Sequence, residues 1–296
     1  MNKIANKYIH LLDWVLIIIL AIIWGSSFIL IKKGLDTYTP LQVGTIRMSF
    51  AFLTMLGFSV RNLGLIKARR WVYIIIIGLI GNLIPAYLFS LAETQIESSL
   101  AGILNALTPI FTFIIATMFF SHKMKLVQVG GLLLAFSGAI GLSFIGKDGG
   151  LGAMNIYTWL VVIATLMYAI SLNIVKKKFP DVGAIELTSL AMFAIGPPAM
   201  LILFSTDFVS RVSSGKPAIE SLLYLAVLGI IGTAFALTLY NKLIKISTTI
   251  FASSVTYLIP FVAVLWGIVD GERLYPLHFA GMFITIAGIY IVSRSK

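Results

Sequence analysis

Residues 98–120 read SSLAGILNALTPIFTFIIATMFF, a run without one charged side chain. A helix needs roughly 20 apolar residues to cross the hydrocarbon core of a bilayer, and this run supplies them. Working outward from it, runs of similar length bounded by charges or turn residues predict ten spans. They are Trp14–Ile31, Leu41–Val60, Trp71–Leu91, Ser98–Phe120, Val127–Ile145, Tyr157–Val175, Ala184–Phe204, Leu222–Leu243, Thr249–Val269 and Leu277–Val292. Most connections are short; only Ser205–Ser221 reads as a longer polar loop.

Composition agrees. Apolar residues make up 59% of the chain and charged ones 11%, against about 45–50% and 25% in ordinary globular proteins, and mean hydropathy is +1.02. A soluble fold this apolar has too few polar groups to cover its surface, and disordered chains are poor in apolar residues and rich in charge. Absence of cysteine excludes thiolate chemistry and disulfides. The net charge of +11 is scattered between apolar runs rather than gathered on one face, which argues against a nucleic-acid partner. The first span is too long for a signal-peptide core and lacks a cleavage site, so it is expected to stay in the membrane.

Lys and Arg are retained on the cytoplasmic side of a membrane. With the N-terminus inside, that side collects Lys3, Lys7, Arg61, Lys67, Arg69, Arg70, Lys123, Lys125, Lys176, Lys177, Lys178, Lys242, Lys245, Arg294 and Lys296. The opposite side holds Lys32, Lys33, Lys147, Arg211, Lys216 and Arg273. Both termini are therefore expected in the cytoplasm, with Trp14, Trp71, Trp159 and Trp266 near the interfaces as an aromatic belt.

The halves of the chain repeat one another. Ser27–Lys33 matches Ser171–Lys177 at an offset of 144. Tyr73, Gly78 and Gly81 match Tyr224, Gly229 and Gly232 at 151, as Ala101, Leu107 and Pro109 match Ala252, Leu258 and Pro260. Gly131 and Gly138 match Gly281 and Gly288 at 150. Each half carries five spans, an odd number, so equivalent helices cross in opposite directions. The predicted fold is an all-α membrane protein of two inverted five-helix repeats, residues 1–148 and 149–296, the design of many secondary transporters.

Several of these stretches carry a resemblance. Trp24-Gly25-Ser26-Ser27-Phe28, the run from Ser98 to Phe111, its counterpart Ala252 to Pro260, and Gly271-Glu272-Arg273-Leu274 are similar to marks of the drug/metabolite transporter superfamily, EamA branch. The resemblance spans both repeats and implies a prokaryotic inner-membrane carrier, often an exporter of amino acids or related metabolites, with a cavity lined by helices other than the fifth and tenth. Two departures stand out. Ser121-His122-Lys123 replaces the acidic turn in the first half, and Tyr168-Ala169 replaces a second Trp-Gly in span six.

Arg47 is the most informative residue. A charge within a span costs at least about 2.5–3.5 kcal/mol near the bilayer centre and defaults to a functional hypothesis. It either faces a cavity and meets an anionic substrate group, or snorkels, or pairs with Glu93. Trp24, Ser27, Asn82, Tyr87, Asn105, Thr108, Tyr168, Asn173, Thr233, Tyr240, Thr256 and Tyr257 are the other candidate substrate contacts, against the alternative of interhelical hydrogen bonds. Pro85, Pro109 and Pro260 are candidate bends, since proline frees a carbonyl. Glu93 and Glu186 are candidate coupling groups, against interfacial carboxylates reaching water.

The expected function is secondary transport of small organic metabolites by alternating access, with small-molecule substrate and lipid as partners and a monomer or weak homo-oligomer as assembly. A channel or scaffold is the alternative. An enzyme is disfavoured, because His10, His122 and His278 lie outside or at the edge of spans and no His-Glu-x-x-His, Gly-x-Ser-x-Gly or phosphate-loop pattern occurs. No cofactor or metal is expected.

Overall fold

The computed structural model describes residues 2–120, 125–145, 149–246, 252 and 255–294. The Ser121-His122-Lys123 turn, Lys147, Lys296 and the start of the ninth predicted span at Thr249 lie outside the described residues, as do the side chains of Lys3, Lys7, His10 and Arg294. Helices dominate what is described: α1 Asn2–Leu35, α2 Pro40–Asn62, α3 Ala68–Ala92, α4 Ser98–Asn105 resuming as Thr108–Phe120, α5 Leu126–Ser143, α6 Tyr157–Lys178, α7 Ala184–Phe204, α8 Lys216–Ile246, α9 Val255–Val269 and α10 Pro276–Arg294. Eight of them are long and apolar enough to cross a membrane, and Val255–Val269 and Pro276–Val292 are shorter apolar helices. The outward side chains are themselves apolar, Leu133, Leu201 and Phe283 among them, as suits a bundle solvated by lipid.

Local chemistry sets the boundaries. Thr39 and Gln42 form a reciprocal capping box, with Pro40 in the first turn of α2. Gly271, at φ +82°, takes the left-handed turn between α9 and α10. Ser205–Ser221 is shorter as a loop than its polar composition suggests. Phe208–Val212 forms one helical turn, and α8 already starts at Lys216. Gly215 at φ +119° reverses the chain there, and Pro217 supplies a first-turn φ.

Three helices are interrupted within their length. In α4 the ring of Pro109 cannot donate to the Asn105 carbonyl; the Thr108 hydroxyl donates to it instead at 2.8 Å, and the helix breaks at Ala106 and Leu107. α3 widens into a π segment at Leu79–Leu83 and α8 into another at Ile230–Phe235. Their first residues lie 151 apart, the offset already seen between these helices. Each frees a carbonyl that a side chain five residues on satisfies. Asn82 Nδ2 donates to Ile77 O at 3.3 Å, and Thr233 Oγ1 donates to Leu228 O at 3.1 Å.

The packing follows the same correspondence. α1 packs on α8 and α9 as α6 packs on α3 and α4; α2 meets α8 as α7 meets α3. Gly78 lies against Ala191 O and Ile195, and Gly229 against Arg47 O, Phe50 and Ala51. Outside this core α5 and α10 pair with each other. A Cβ on Gly138 would stand 2.5 Å from Thr285 Oγ1 and 2.8 Å from Gly281 O, so the backbones approach as closely as small residues permit.

Gly138→Ala should therefore destabilise the α5–α10 pair by about 1–3 kcal/mol through overpacking. Gly130→Ala on the same helix, where no atom lies within 4 Å of the new methyl, should leave the detergent-solubilised melting temperature unchanged or slightly raised.

A central cavity and its closed end

Between the helices lies a cavity of about 1120 Å³, its opening included. Its lining comes from α1–α4 and α6–α9, with none from α5 or α10. The lining residues fall into matched pairs. Trp24/Tyr168, Ser27/Ser171, Phe28/Leu172, Ile31/Val175, Arg47/Ala191 and Met48/Met192 are 144 apart; Gly81/Gly232, Phe89/Tyr240 and Asn105/Thr256 are 151 apart.

Arg47 breaks the match, since its counterpart is alanine. Its Nε donates to Thr233 Oγ1 at 2.7 Å, and that hydroxyl spends its own proton on Leu228 O. The π segment of α8 thus orients the guanidinium. Neither terminal nitrogen has a hydrogen-bond or ion-pair partner among the described residues, Glu93 included. Nearby groups are also unspent: the Asn105 carboxamide and the Tyr168 and Tyr240 hydroxyls have no hydrogen-bond partner among the described residues. Trp24 Nε1 donates to Gly232 O at 3.0 Å, and its ring meets Tyr240 edge-on at 4.9 Å. Tyr168 stacks on Phe89.

Trp24, Ser27, Arg47, Asn82, Asn105, Thr108, Tyr168, Tyr240 and Thr256 are brought together around this space. Four expected contacts are not. Tyr87 faces a lateral groove with Leu41, Gly44, Thr45 and Ile202, about 200° of helical rotation from Phe89, which lines the cavity. Asn173 is spent on Thr112 O and Ala169 O. Thr233 positions Arg47 rather than lining the wall. Tyr257 follows Thr256 by about 100° of helical rotation and packs into the core.

The three bend prolines sit where the helices change course. Pro85 restarts α3 after its π segment, Pro109 follows the break in α4, and Pro260 lies inside α9. Glu186 is half-buried in the first turn of α7, away from the cavity, where the helix N-terminus favours a negative group. Glu93 caps α3 just beyond Phe89; it is buried, and neither carboxyl oxygen has a partner among the described residues. The lining also includes Ser171, Thr188 and Asn241. Ser171 was legible as the repeat of Ser27. Thr188 and Asn241, joined at 2.9 Å, correspond to Gly44 and Ser90 and had no such signal.

The two ends of the cavity differ. At one limit Ile31 and Phe89 are 2% and 3% exposed. Above them Glu272 accepts from Ser98 N and Oγ at 2.9 and 2.6 Å and from Ser99 N and Oγ at 3.1 and 2.5 Å, taking up the first amides of α4. Lys32 Nζ joins Glu272 at 2.9 Å and Asp270 at 2.8 Å, and Lys33 holds Asp270 at 2.5 Å. Burial opposes ionisation of Glu272, but the donors from Ser98, Ser99 and Lys32 outweigh it and hold the carboxyl below its ordinary range. At the other limit Val175 and Asn241 are half-buried, next to the lysines at 176–178.

A helical bundle with apolar outward faces, around a largely apolar cavity whose one charged side chain among the described lining residues is Arg47, defines a membrane protein with room for a small solute. The chain belongs to the EamA-like transporter family, whose pattern matches residues 13–144 and again 155–294. It is 24% identical over 280 residues, 94% of this chain and 89% of the other, to the "Uncharacterized inner membrane transporter YedA" of Escherichia coli strain K12. It is 25% identical to the "Probable terminal-alkyne amino-acid exporter" of Streptantibioticus cattleyicolor, over 95% of this chain and 93% of that one. A crystal structure with 15% identity superposes with a TM-score of 0.65 over 94% of this chain and 95% of that chain, a likeness of fold.

Because the chain has no cysteine, Ile31→Cys reports access from the Glu272 end without background. A membrane-impermeant thiol reagent should react with it slowly. Adding Glu272→Gln should speed labelling by about 10-fold or more, the worth of lost charge-assisted hydrogen bonds. The folded pKa of Glu272 is depressed, so the lock is complete above the ordinary glutamate pKa. It should loosen only as pH falls through the depressed value.

Proposed function

We propose that the protein is a secondary transporter, working as an exporter in a prokaryotic inner membrane, for small organic solutes that bear a carboxylate, amino acids among them. Its ten helices form two inverted five-helix repeats, residues 1–148 and 149–296, with both termini cytoplasmic and the lysine-rich end inside. Alternating access exchanges the open and closed ends of the cavity about Arg47. The observation that carries this reading is a guanidinium oriented through Nε, its terminal nitrogens without a partner among the described residues, on the wall of a cavity lined by matched residues of the two halves. A carboxylate accepts two parallel hydrogen bonds from such a fork.

The pairing of Ile31 with Val175 and of Phe89 with Tyr240 gives each end of the cavity an equivalent at the other, which is what rocking of one repeat against the other requires. The inner-membrane and exporter assignments draw on the names of the relatives, and the side assignment on the distribution of Lys and Arg. Closure at the Glu272 cluster favours a carrier over an open channel. Asn105, Tyr168 and Tyr240 orient the solute, and Pro85, Pro109 and Pro260 mark the bends. For ion coupling, buried and unpartnered Glu93 is better placed than Glu186.

Arg47→Ala should purify as a monodisperse protein yet lower counterflow of carboxylate-bearing solutes in proteoliposomes at least about 10-fold, the loss expected for a bidentate charged contact. Undiminished flux by a folded variant contradicts the assignment.

A further inference from the structure

We infer that the preferred substrates are net anions with an apolar, aromatic-sized body, and that zwitterions are second choice. This rests on the carrier reading above and narrows its substrate class.

Charge balance at the cavity wall decides the preference. Among the described lining residues Arg47 is the sole charged side chain, and no carboxylate joins it on the cavity wall. A fixed charge in a low-dielectric interior is costly until it is compensated. Binding a monoanion brings the loaded site to zero net charge. Binding a zwitterion satisfies the guanidinium but introduces an ammonium, so the site stays at one positive charge, and the ammonium finds no anionic partner on the wall. A cation adds to the repulsion.

Glu93 does not restore the balance. It does not line the cavity, it makes no ion pair with Arg47, and both its oxygens lack hydrogen-bond donors among the described residues. Burial pushes its carboxyl well above the ordinary carboxylate range, against the opposing fields of Lys32 and Arg47.

The remaining wall says what the anion carries. Phe28, Phe89, Leu172, Met48 and Met192, drawn from both repeats, line the same cavity as Arg47. The ring hydroxyls of Tyr168 and Tyr240 and the Asn105 carboxamide supply neutral hydrogen-bonding groups that suit an amide or carbonyl oxygen. A carboxylate joined to an apolar body through a neutral polar link, as in an N-acyl amino acid, fits this arrangement.

The test is counterflow in proteoliposomes with matched series on a phenylalanine and a leucine body: the N-acetyl acid (anion), the free amino acid (zwitterion) and the amino-acid amide (cation), with protein-free vesicles as leak controls. The N-acetyl acids should half-saturate at about 10-fold lower concentration than the free amino acids, and the amides should not compete. In Arg47→Gln, which keeps a donor toward Thr233, the preference should fall to about 2-fold or less. Equal or better use of the free amino acids, or no movement of either N-acetyl acid, overturns the inference and leaves the carrier reading standing. Failure of every solute in all series counts against both.

Discussion

The arrangement depends on the bond between Arg47 and Thr233. A guanidinium deep in a lipid-embedded bundle is tolerated where water, or a ligand that replaces water, can reach it. Thr233 can accept from Arg47 because a π segment in α8 frees the Leu228 carbonyl to take the threonine proton. The equivalent segment in α3 engages Asn82 with Ile77 O in the same way. Two helical irregularities thus hold the polar groups of the cavity in place, one on either repeat. Removing the widened turn would cost more than a local hydrogen bond, since it would rotate everything beyond it.

Matched residues of the two halves line both ends of the cavity, and the polar contacts beyond those ends differ. The Glu272 cluster joins the end of α1, the start of α4 and the turn after α9 through one buried carboxylate. At the lysine-rich end Arg70 Nη1 and Nη2 donate to the two carboxylate oxygens of Asp181, each at 2.7 Å, and Nη2 also reaches the Lys178 carbonyl. That pair is largely exposed, and such pairs contribute little to stability. The Glu272 contacts are thus the more deeply buried of the two sets. The closely packed α5–α10 pair stands apart from the cavity and serves as its frame.

Much of this was legible in the residues, for identifiable reasons. Spans declare themselves because lipid demands long apolar runs, and the seventh runs from Ala184 to Phe204 in both sequence and structure. Proline and glycine at fixed offsets exposed the repeat, because backbone constraints leave marks that apolar substitution does not erase. Arg47 stood out because a charge at that depth needs a reason. The π segments were not legible, since a shifted hydrogen bond has no composition of its own. Tyr87 was expected in the cavity as a polar group at membrane depth, but depth does not fix the face of a helix, and Phe89 lines the cavity instead. The partners of Glu272 were hidden for another reason: Ser98 and Lys32 are distant in sequence, and no local pattern links them to the Gly271-Glu272 turn.

The most direct test of the account is the distance between spin labels at Asp36 and Arg273, which flank the closed end, measured in lipid vesicles with and without a transported carboxylate. The distance should be short in the substrate-free protein, with a second, longer population that appears with substrate and grows when Glu272 is replaced by Gln. A single unchanged distance under conditions in which the same vesicles carry out solute exchange would contradict it.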